Sequence, residues 1–507
     1  MKRLHQPQLE RQLGWIDATM IVIGSMIGSG IFLTSAESSR LVGSPGWLLI
    51  AWIMAGVMTI TGALCCAELA AMMPRAGGQY IFLREAYHPA IGFLFGWSLL
   101  LVVQTGTIAA VAFAFANFSG VFAPIISPNI YLINPMQIGG YAISLSTQQL
   151  IAILLILLLT ATNTRGLQIG RLIQNLLTFI KTAALAGIII LGLTLGWNGA
   201  SAVYTSHWWN PLANGWNPHI LQPGLASTGT LALVMLVGRA MVGPLFAQSA
   251  WNNVTFMGSE VQNPGRNLPR ALLIGCGVVV LLYVLANLAY VGTLSLNELQ
   301  TVPQNRVATA VMEKIFGQAG AFAIALAIMI STFGCNNGLI LAGARVYYAM
   351  AQDNLFFKIA KSLNTHRTPS IALYVQGIWA SLLVLPRTII TDPQTGTTTY
   401  GNVYTQLLEY IVAADLIFYA LMVGAVIILR HRMPKTMRGY KTFGYPVVPF
   451  IYIVMATFLI VDLIYLAPLT AGIGFLMVLT GIPIYITWKN RLKLQPAFEE
   501  NPRAHLP

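Results

Sequence analysis

Two short runs in this chain carry side chains and spacings that suit ligand binding better than helix packing. The first is Gly24-Ser25-Met26-Ile27-Gly28-Ser29-Gly30, inside the first long apolar stretch. Three glycines and two serines in seven residues weaken a helix there, since each glycine costs about 1 kcal/mol against alanine. Gly24 and Gly28 alone would make a GxxxG packing pair. Gly30 and the serines exceed what packing needs, so a break in the helix is expected. The second run is Phe246-Ala247-Gln248-Ser249-Ala250-Trp251-Asn252-Asn253. Gln248, Ser249, Asn252 and Asn253 have no reason to face lipid and must line protein or water. A polar packing seam would account for one or two of them, hardly for four.

Interrupted helices at matching places in two halves of a membrane chain point to a binding site between inverted repeats. The part of the first helix that restarts near Gly28-Ser29-Gly30 would offer free N–H groups and a positive dipole end to a carboxylate. The part of the sixth that stops near Phe246-Ala247 would offer free carbonyls to an ammonium. Each helix end contributes about 0.3–1 kcal/mol, and hydrogen bonds to charged groups add about 1.5–3 kcal/mol each. A ligand with both charges on one carbon, an amino acid, suits such a pair of ends. Lys181 is the third candidate. It lies about ten residues beyond Arg171, roughly 15 Å along a helix, too deep for its stem to reach the interface. It must be engaged inside the protein, as an ion surrogate, a coupling group or a structural tie.

Membrane helices must position these residues. Of 507 residues, 56% are apolar and 8% charged, and the mean hydropathy is +0.70. Soluble domains carry about 25% charged residues, so a soluble multidomain chain is excluded. Stretches of about 20 apolar residues, enough to cross a hydrocarbon layer of about 30 Å, recur near 15–38, 47–73, 91–121, 147–163, 172–196, 229–259, 270–293, 320–350, 370–389, 405–430, 447–467 and 469–488. The expected fold is an all-α integral membrane domain of about twelve transmembrane helices over residues 1–507. Repeat one spans about 13–196, repeat two about 229–430, and two further helices cover about 446–489. The stretch 123–146 is expected to be a turn-rich connection, and Asn305 to Gly317 a short external helix.

The net charge of +13 sits in clusters between apolar stretches, among them Lys2, Arg3 and Arg11; Arg75 and Arg84; Arg266 and Arg270; Lys358, Lys361 and Arg367; and Arg430 to Lys441, with Arg503 in the tail. That is the positive-inside pattern, which puts both termini in the cytoplasm and calls for no nucleic acid. The last cluster would also attract anionic membrane lipid. Cys65, Cys66, Cys276 and Cys335 all fall in apolar helices with no CxxC spacing, so packing is expected of them and not metal binding. There is no HExxH, and Gly28-Ser29-Gly30 lacks the lysine of a phosphate loop, so neither cofactor nor enzyme chemistry is expected. A channel would need a continuous polar stripe, and a sensor a soluble domain for which the tails are too short. Arg239 either snorkels to an outer vestibule or meets a substrate side chain. Glu68 and Asp415 are expected in helix-packing networks, and Asp462 in a structural role.

The run from Gly24 to Gly30, continued by Ile31-Phe32, resembles the first-helix motif of the L-type amino acid transporters, within the amino acid–polyamine–organocation superfamily. Pro74-Arg75-Ala76-Gly77-Gly78-Gln79-Tyr80 is similar to their loop after helix 2. Trp251-Asn252, Glu260 and Asn263-Pro264-Gly265-Arg266-Asn267-Leu268-Pro269 resemble their helix 6 and the loop behind it, and Leu429-Arg430-His431-Arg432 the end of their helix 10. The resemblance covers residues 11 to 490 and implies a leucine-transporter-like 5+5 inverted repeat working by alternating access in the plasma membrane. It implies carboxylate binding at Ser29 and Gly30, helped by Ser25 and Gly28 with Met26 in the same run. It implies amine binding by the carbonyls around Phe246 and Ala247, with Phe246 as outer gate and Asn252 as a polar pocket residue. Ser249 and Ala250 stand where the family commonly has glycines, which implies a smaller or more polar substrate side chain; Gln248 and Arg239 are further specificity candidates. Lys181 corresponds to the helix-5 lysine that replaces sodium in sodium-independent members, tying helix 5 to helix 1 and to helix 8 near Ser331 and Thr332. The implied activity is sodium-independent L-amino acid exchange, with proton-coupled symport as the alternative. Animal relatives carry a cysteine between helices 3 and 4 that links them to a heavy chain. This chain has none there, so a bacterial-type carrier without a disulfide-linked heavy chain is expected.

Overall fold

The computed structural model describes residues 11–165, 168–197, 206–222, 225, 229–366, 368–391 and 398–493. Arg367, the side chain of Arg171 and the terminal segments with Lys2, Arg3 and Arg503 lie outside the described residues. Helix α1 (Trp15–Met26) starts at Gly14, whose N–H donates to the Asp17 carboxylate at 3.0 Å. It stops at Met26, and α2 (Gly30–Val42) takes over at an angle of 41°. Gly43 ends α2 in the left-handed region, and Ser44 caps α3 (Pro45–Met72). Pro45 sits at the first helical position, where its missing N–H costs nothing. A short α4 (Gln79–Ala86) leads to α5 (Pro89–Ser98), which passes through a π-turn into α6 (Gln104–Ser119). Then follow α7 (Thr147–Asn163), opened by a Ser146–Gln149 capping box, and α8 (Gln168–Thr194), which carries Lys181.

The second half begins with α9 (Gly229–Ala240) and α10 (Val242–Ala247) and continues with α11 (Pro264–Thr293), α12 (Val307–Gln352), α13 (Ser370–Leu383) and α14 (Val403–Arg432). Helices α15 (Val447–Leu466) and α16 (Pro468–Lys493) close the chain. Among the described residues, nine helices are long and apolar enough to cross a membrane, ten when α1 and α2 count as one bent span. The apolar helices α7 and α13, with 17 and 14 residues, stand at the fourth and ninth expected positions. The short helix expected at 305–317 is the first part of α12, set off by Gly317, whose backbone (φ 64°, ψ −154°) is not helical.

Two expectations need correction. A four-stranded antiparallel sheet joins 123–146 to the segment behind α13. Strands β1 (Tyr131–Ile138) and β2 (Tyr141–Ser146) form a hairpin, β3 (Pro386–Thr391) pairs with β2, and β4 (Thr398–Tyr400) with β3. The ninth helix, expected to reach residue 389, therefore stops at Leu383. Pro386 cannot donate a helical hydrogen bond, and the β-branched run Thr388-Ile389-Ile390-Thr391 favours a strand. The sixth helix stops at Ala247, where its interruption near Phe246-Ala247 was expected, but it does not resume as a helix to 259: only single turns at Asn253–Phe256 and Gly258–Glu260 follow. Ala250 takes a φ of 65°, and the Ser249 and Thr255 hydroxyls bond backbone carbonyls three residues back, which competes with a continuous helix.

Helix α1 lies against α8, α11 and α12, while α14 packs on α3, α6 and α10. The two interrupted segments are thus walled by unbroken helices. All four cysteines are buried and free.

Candidate functional site

A helix end leaves its last carbonyls without intrahelical partners, and burial without replacements is costly. At the end of α1 each replacement is present. The Gly24 carbonyl accepts from Lys181 Nζ at 2.5 Å, that of Ser25 from Cys335 Sγ at 3.4 Å, that of Met26 from the Tyr283 hydroxyl at 2.8 Å, and that of Ile27 from the Ser331 hydroxyl at 3.4 Å. Three helices, α8, α11 and α12, supply these donors. The interruption is therefore built into the surroundings, which a GxxxG packing pair would not require. Gly28 has a local reason to lack a side chain, because a Cβ there would lie 2.9 Å from Cys335 Sγ.

The restart of the first helix meets the stop of the sixth. A Cβ on Gly30 would lie 2.4 Å from the Cβ of Ala247 and 2.6 Å from its Cα, so the two breaks touch through bare backbone. The first turn of α2 presents its N–H groups at this junction. From the other side come the last carbonyls of α10. The Phe246 carbonyl already accepts the Ser249 hydroxyl at 2.7 Å and the Ser249 N–H at 3.1 Å. Among the described residues no donor reaches the carbonyl of Ala247. Tyr404, from the first turn of α14, joins the halves: its hydroxyl is 2.9 Å from Ser29 Oγ, and its ring meets Phe246 edge-on at 6.0 Å between centroids.

The remaining candidates fall around this junction. Ser25 and Met26 contribute the carbonyls described above. Gln248 turns to the Trp52 carbonyl at 3.2 Å. Asn252 donates to Gln79 Oε1 at 2.7 Å and accepts from Tyr419 at 3.2 Å, fastening the unwound run to α4 and α14. Thr332 bonds its own helix at Ile328, so of the helix-8 pair Ser331 alone reaches the break. Arg239 is half-buried, paired with Glu409 at 3.2 Å and bonded to Gln222. Glu68 accepts from Arg430, from Arg438 and from the Thr442 hydroxyl.

Both ends of the path to the junction are closed. At the basic end, Arg345 and Glu260 form a buried pair, 2.6 Å from Nε to Oε1, and the N–H groups of Gln12 and Leu13 bond the Glu260 carbonyl. At the other end the Arg239–Glu409 pair lies beside Tyr404 in a cavity wall shared with Thr34 and Glu37. Phe246 is only 5% exposed, so the conformation is occluded. Tyr404, Tyr283 and Glu409 escaped the sequence reading, and nothing in their local sequence marks them. Cys335 did carry a signal, since it follows Ser331 by one helical turn and so shares its face.

Comparison with known proteins adds a second line of observation. The sequence pattern described as amino acid permease matches residues 13–488. The chain is 30% identical over 495 residues to the human large neutral amino acids transporter small subunit 2, covering 97% of this chain and 83% of that protein. It is 29% identical over 486 residues to the serine/threonine exchanger SteT of Bacillus subtilis, covering 95% and 98%. To the mouse Asc-type amino acid transporter 1 it is 28% identical over 498 residues, covering 97% and 84%.

Proposed function

The chain belongs to the amino acid permease family, and within it we propose a sodium-independent exchanger of small, polar neutral L-amino acids. The observation that carries this reading is the junction of Gly30 with Ala247. When the two breaks part, the N–H groups of the α2 start and the Ser29 hydroxyl take the substrate carboxylate, while the Ala247 carbonyl takes the ammonium. Phe246 and Tyr404 close over the bound molecule. Lys181 supports sodium independence, because its ammonium holds the Gly24 carbonyl from inside the bundle. Alternating access would open the Arg239–Glu409 pair and the Glu260–Arg345 pair in turn, within a 5+5 repeat of twelve spans in the plasma membrane, termini in the cytoplasm. Ser249 and Ala250 occupy room that a large side chain would need, and one relative is named a serine/threonine exchanger. No disulfide-linked heavy chain is called for, since the connection between α6 and α7 has no cysteine.

One observation favours proton-coupled symport as the second reading: among the described residues, Lys181 is bonded to a carbonyl and to no carboxylate. Loss of its proton would leave no unpaired anion behind.

Binding tests the zwitterion reading directly. Labelled L-serine should bind the purified protein in sodium-free buffer, and serine methyl ester and N-acetylserine, each lacking one charge, should fail to displace it. Displacement by either analogue at serine-like concentrations would refute the paired-ends reading.

A further inference from the structure

A larger cavity lies where the sheet meets the start of α14. It measures about 150 Å³, and its wall includes Asn117, Asn129, Gln148, Gln304, Arg387 and Asn402, with no carboxylate. Arg387 is 3% exposed. It donates to the Tyr131 hydroxyl at 3.1 Å and to the Pro128 carbonyl at 3.0 Å, and its guanidinium lies over the Tyr131 ring. Among the described residues no carboxylate pairs with it. A second arginine stands behind the wall in the same condition. The half-buried Arg306 bonds Asn117 Oδ1 at 2.8 Å, the Asn117 carbonyl at 2.6 Å and Gln304 Oε1 at 2.6 Å, all of them uncharged. A cation withdrawn from water without a counter-charge is costly, and here two of them flank one cavity.

The amides of the wall are turned to match. Arg306 holds the oxygens of Asn117 and Gln304, and the oxygen of Asn402 caps α14 by accepting the Tyr404 N–H at 2.9 Å. The Asn117 nitrogen is engaged by the Gln304 carbonyl at 3.1 Å. The nitrogens of Gln304 and Asn402 are left without acceptors among the described residues. Gln148 is 1% exposed and its side chain bonds nothing there. Its oxygen is sealed in the wall, so its nitrogen is the end left for the cavity. Asn402 and Val403 both line the space, which sets the positive end of a 30-residue helix beside it, and such an end favours anions.

We propose that this cavity is a second ligand site, which takes a small anion between Arg387 and the Gln148, Gln304 and Asn402 amides. A wall of cations and N–H donors with no anion of its own is matched by a charged acceptor. About 150 Å³ holds several water-sized groups, enough for chloride, phosphate or a short carboxylate. The site shares no wall residue with the junction of Gly30 and Ala247, although α14 connects them, since Tyr404 follows Val403 of the wall.

Thermal unfolding of the full chain in neutral detergent tests this, at constant ionic strength, with chloride, phosphate or acetate replacing a bulky sulfonate. The unfolding temperature should rise and saturate with at least one of the three, as binding to the folded state requires. Saturation by chloride or phosphate without acetate assigns an inorganic ion, and by acetate alone a carboxylate solute; saturation by all three supports the shared anion chemistry. Gln148→Leu removes an unpartnered amide at similar volume, so in sulfonate it should unfold at the unaltered temperature or above it. Its half-saturating anion concentration should rise about 10- to 150-fold, the loss of one hydrogen bond to a charged group. Arg387→Gln should abolish the saturable rise, and if that protein does not fold, Gln148→Leu decides alone. No saturable rise with any of the three anions, or an unchanged half-saturation in Gln148→Leu, overturns the proposal. Unfolding is the readout, so a failure of amino acid exchange would leave this result standing.

Discussion

Replacing Gly30 by alanine tests whether contact between the two breaks is what the carrier passes through. The added Cβ would sit 2.4 Å from the Ala247 Cβ and 2.6 Å from its Cα. Those neighbours are backbone and a methyl group, with no flexible side chain to swing aside. Forcing a methyl into such a site costs about 1–3 kcal/mol, and the cost falls on the occluded conformation, in which α2 and α10 touch. At 1.4 kcal/mol per factor of ten, that lowers the occluded population by about 5- to 150-fold. Exchange must cross this state in both directions, so its rate should fall by a comparable factor. Gly277→Ala is the matched control: it lies inside α11, and a Cβ there meets nothing within 4 Å. It should leave exchange unchanged and, by helix propensity, stabilise by up to about 1 kcal/mol. The assay is amino acid exchange in proteoliposomes, normalised to folded carrier by size-exclusion chromatography and thermal unfolding. A Gly30→Ala protein exchanging at the unaltered rate, or a Gly277→Ala protein equally impaired, would refute the reasoning.

Three further substitutions probe other links. Lys181→Met removes the donor to the buried Gly24 carbonyl, which should cost about 1–3 kcal/mol and abolish exchange; full exchange by the variant would remove Lys181 from the mechanism. Glu260→Gln strands the Arg345 guanidinium, 4% exposed, and breaking such a buried pair costs about 3–5 kcal/mol. The unfolding temperature should drop, and Glu260→Gln combined with Arg345→Met should recover part of it. Tyr404→Phe keeps the ring against Phe246 but loses the hydroxyl shared with Ser29, worth about 0.5–1.5 kcal/mol. Its KM should rise about 2- to 12-fold, and adding Ser29→Ala, which also removes a carboxylate contact, should raise it further but by less than the product of the two single effects, whereas full additivity would mean the two do not act together.

The breaks themselves were legible because composition advertises them: clustered glycine, serine and amide side chains have few uses inside an apolar helix. Depth along a helix likewise showed that Lys181 needed an internal partner. What completes the junction was not legible. Tyr404 meets Ser29 across 375 residues, and Tyr283 meets Met26 across 257, and neither tyrosine differs locally from an ordinary membrane aromatic. The role of Glu68 could be placed in a packing network from its depth alone, but its partners Arg430 and Arg438 read as topology signals. The sheet escaped for a related reason. Strands β1 and β2 gain their third neighbour only from Pro386–Thr391, and a hairpin alone reads as a loop. Asp415, which lines a small cavity instead of joining a packing network, was misjudged because a buried carboxylate looks the same in sequence whether it meets an arginine or a cavity.

Uptake of labelled L-serine into sodium-free proteoliposomes, with and without amino acid preloaded inside, tests the central claim most directly. The account predicts strong stimulation by preloaded serine or threonine, with no response to added sodium or to an imposed pH gradient. Uptake that ignores the preload but follows the pH gradient would contradict exchange and give Lys181 the part of a proton carrier.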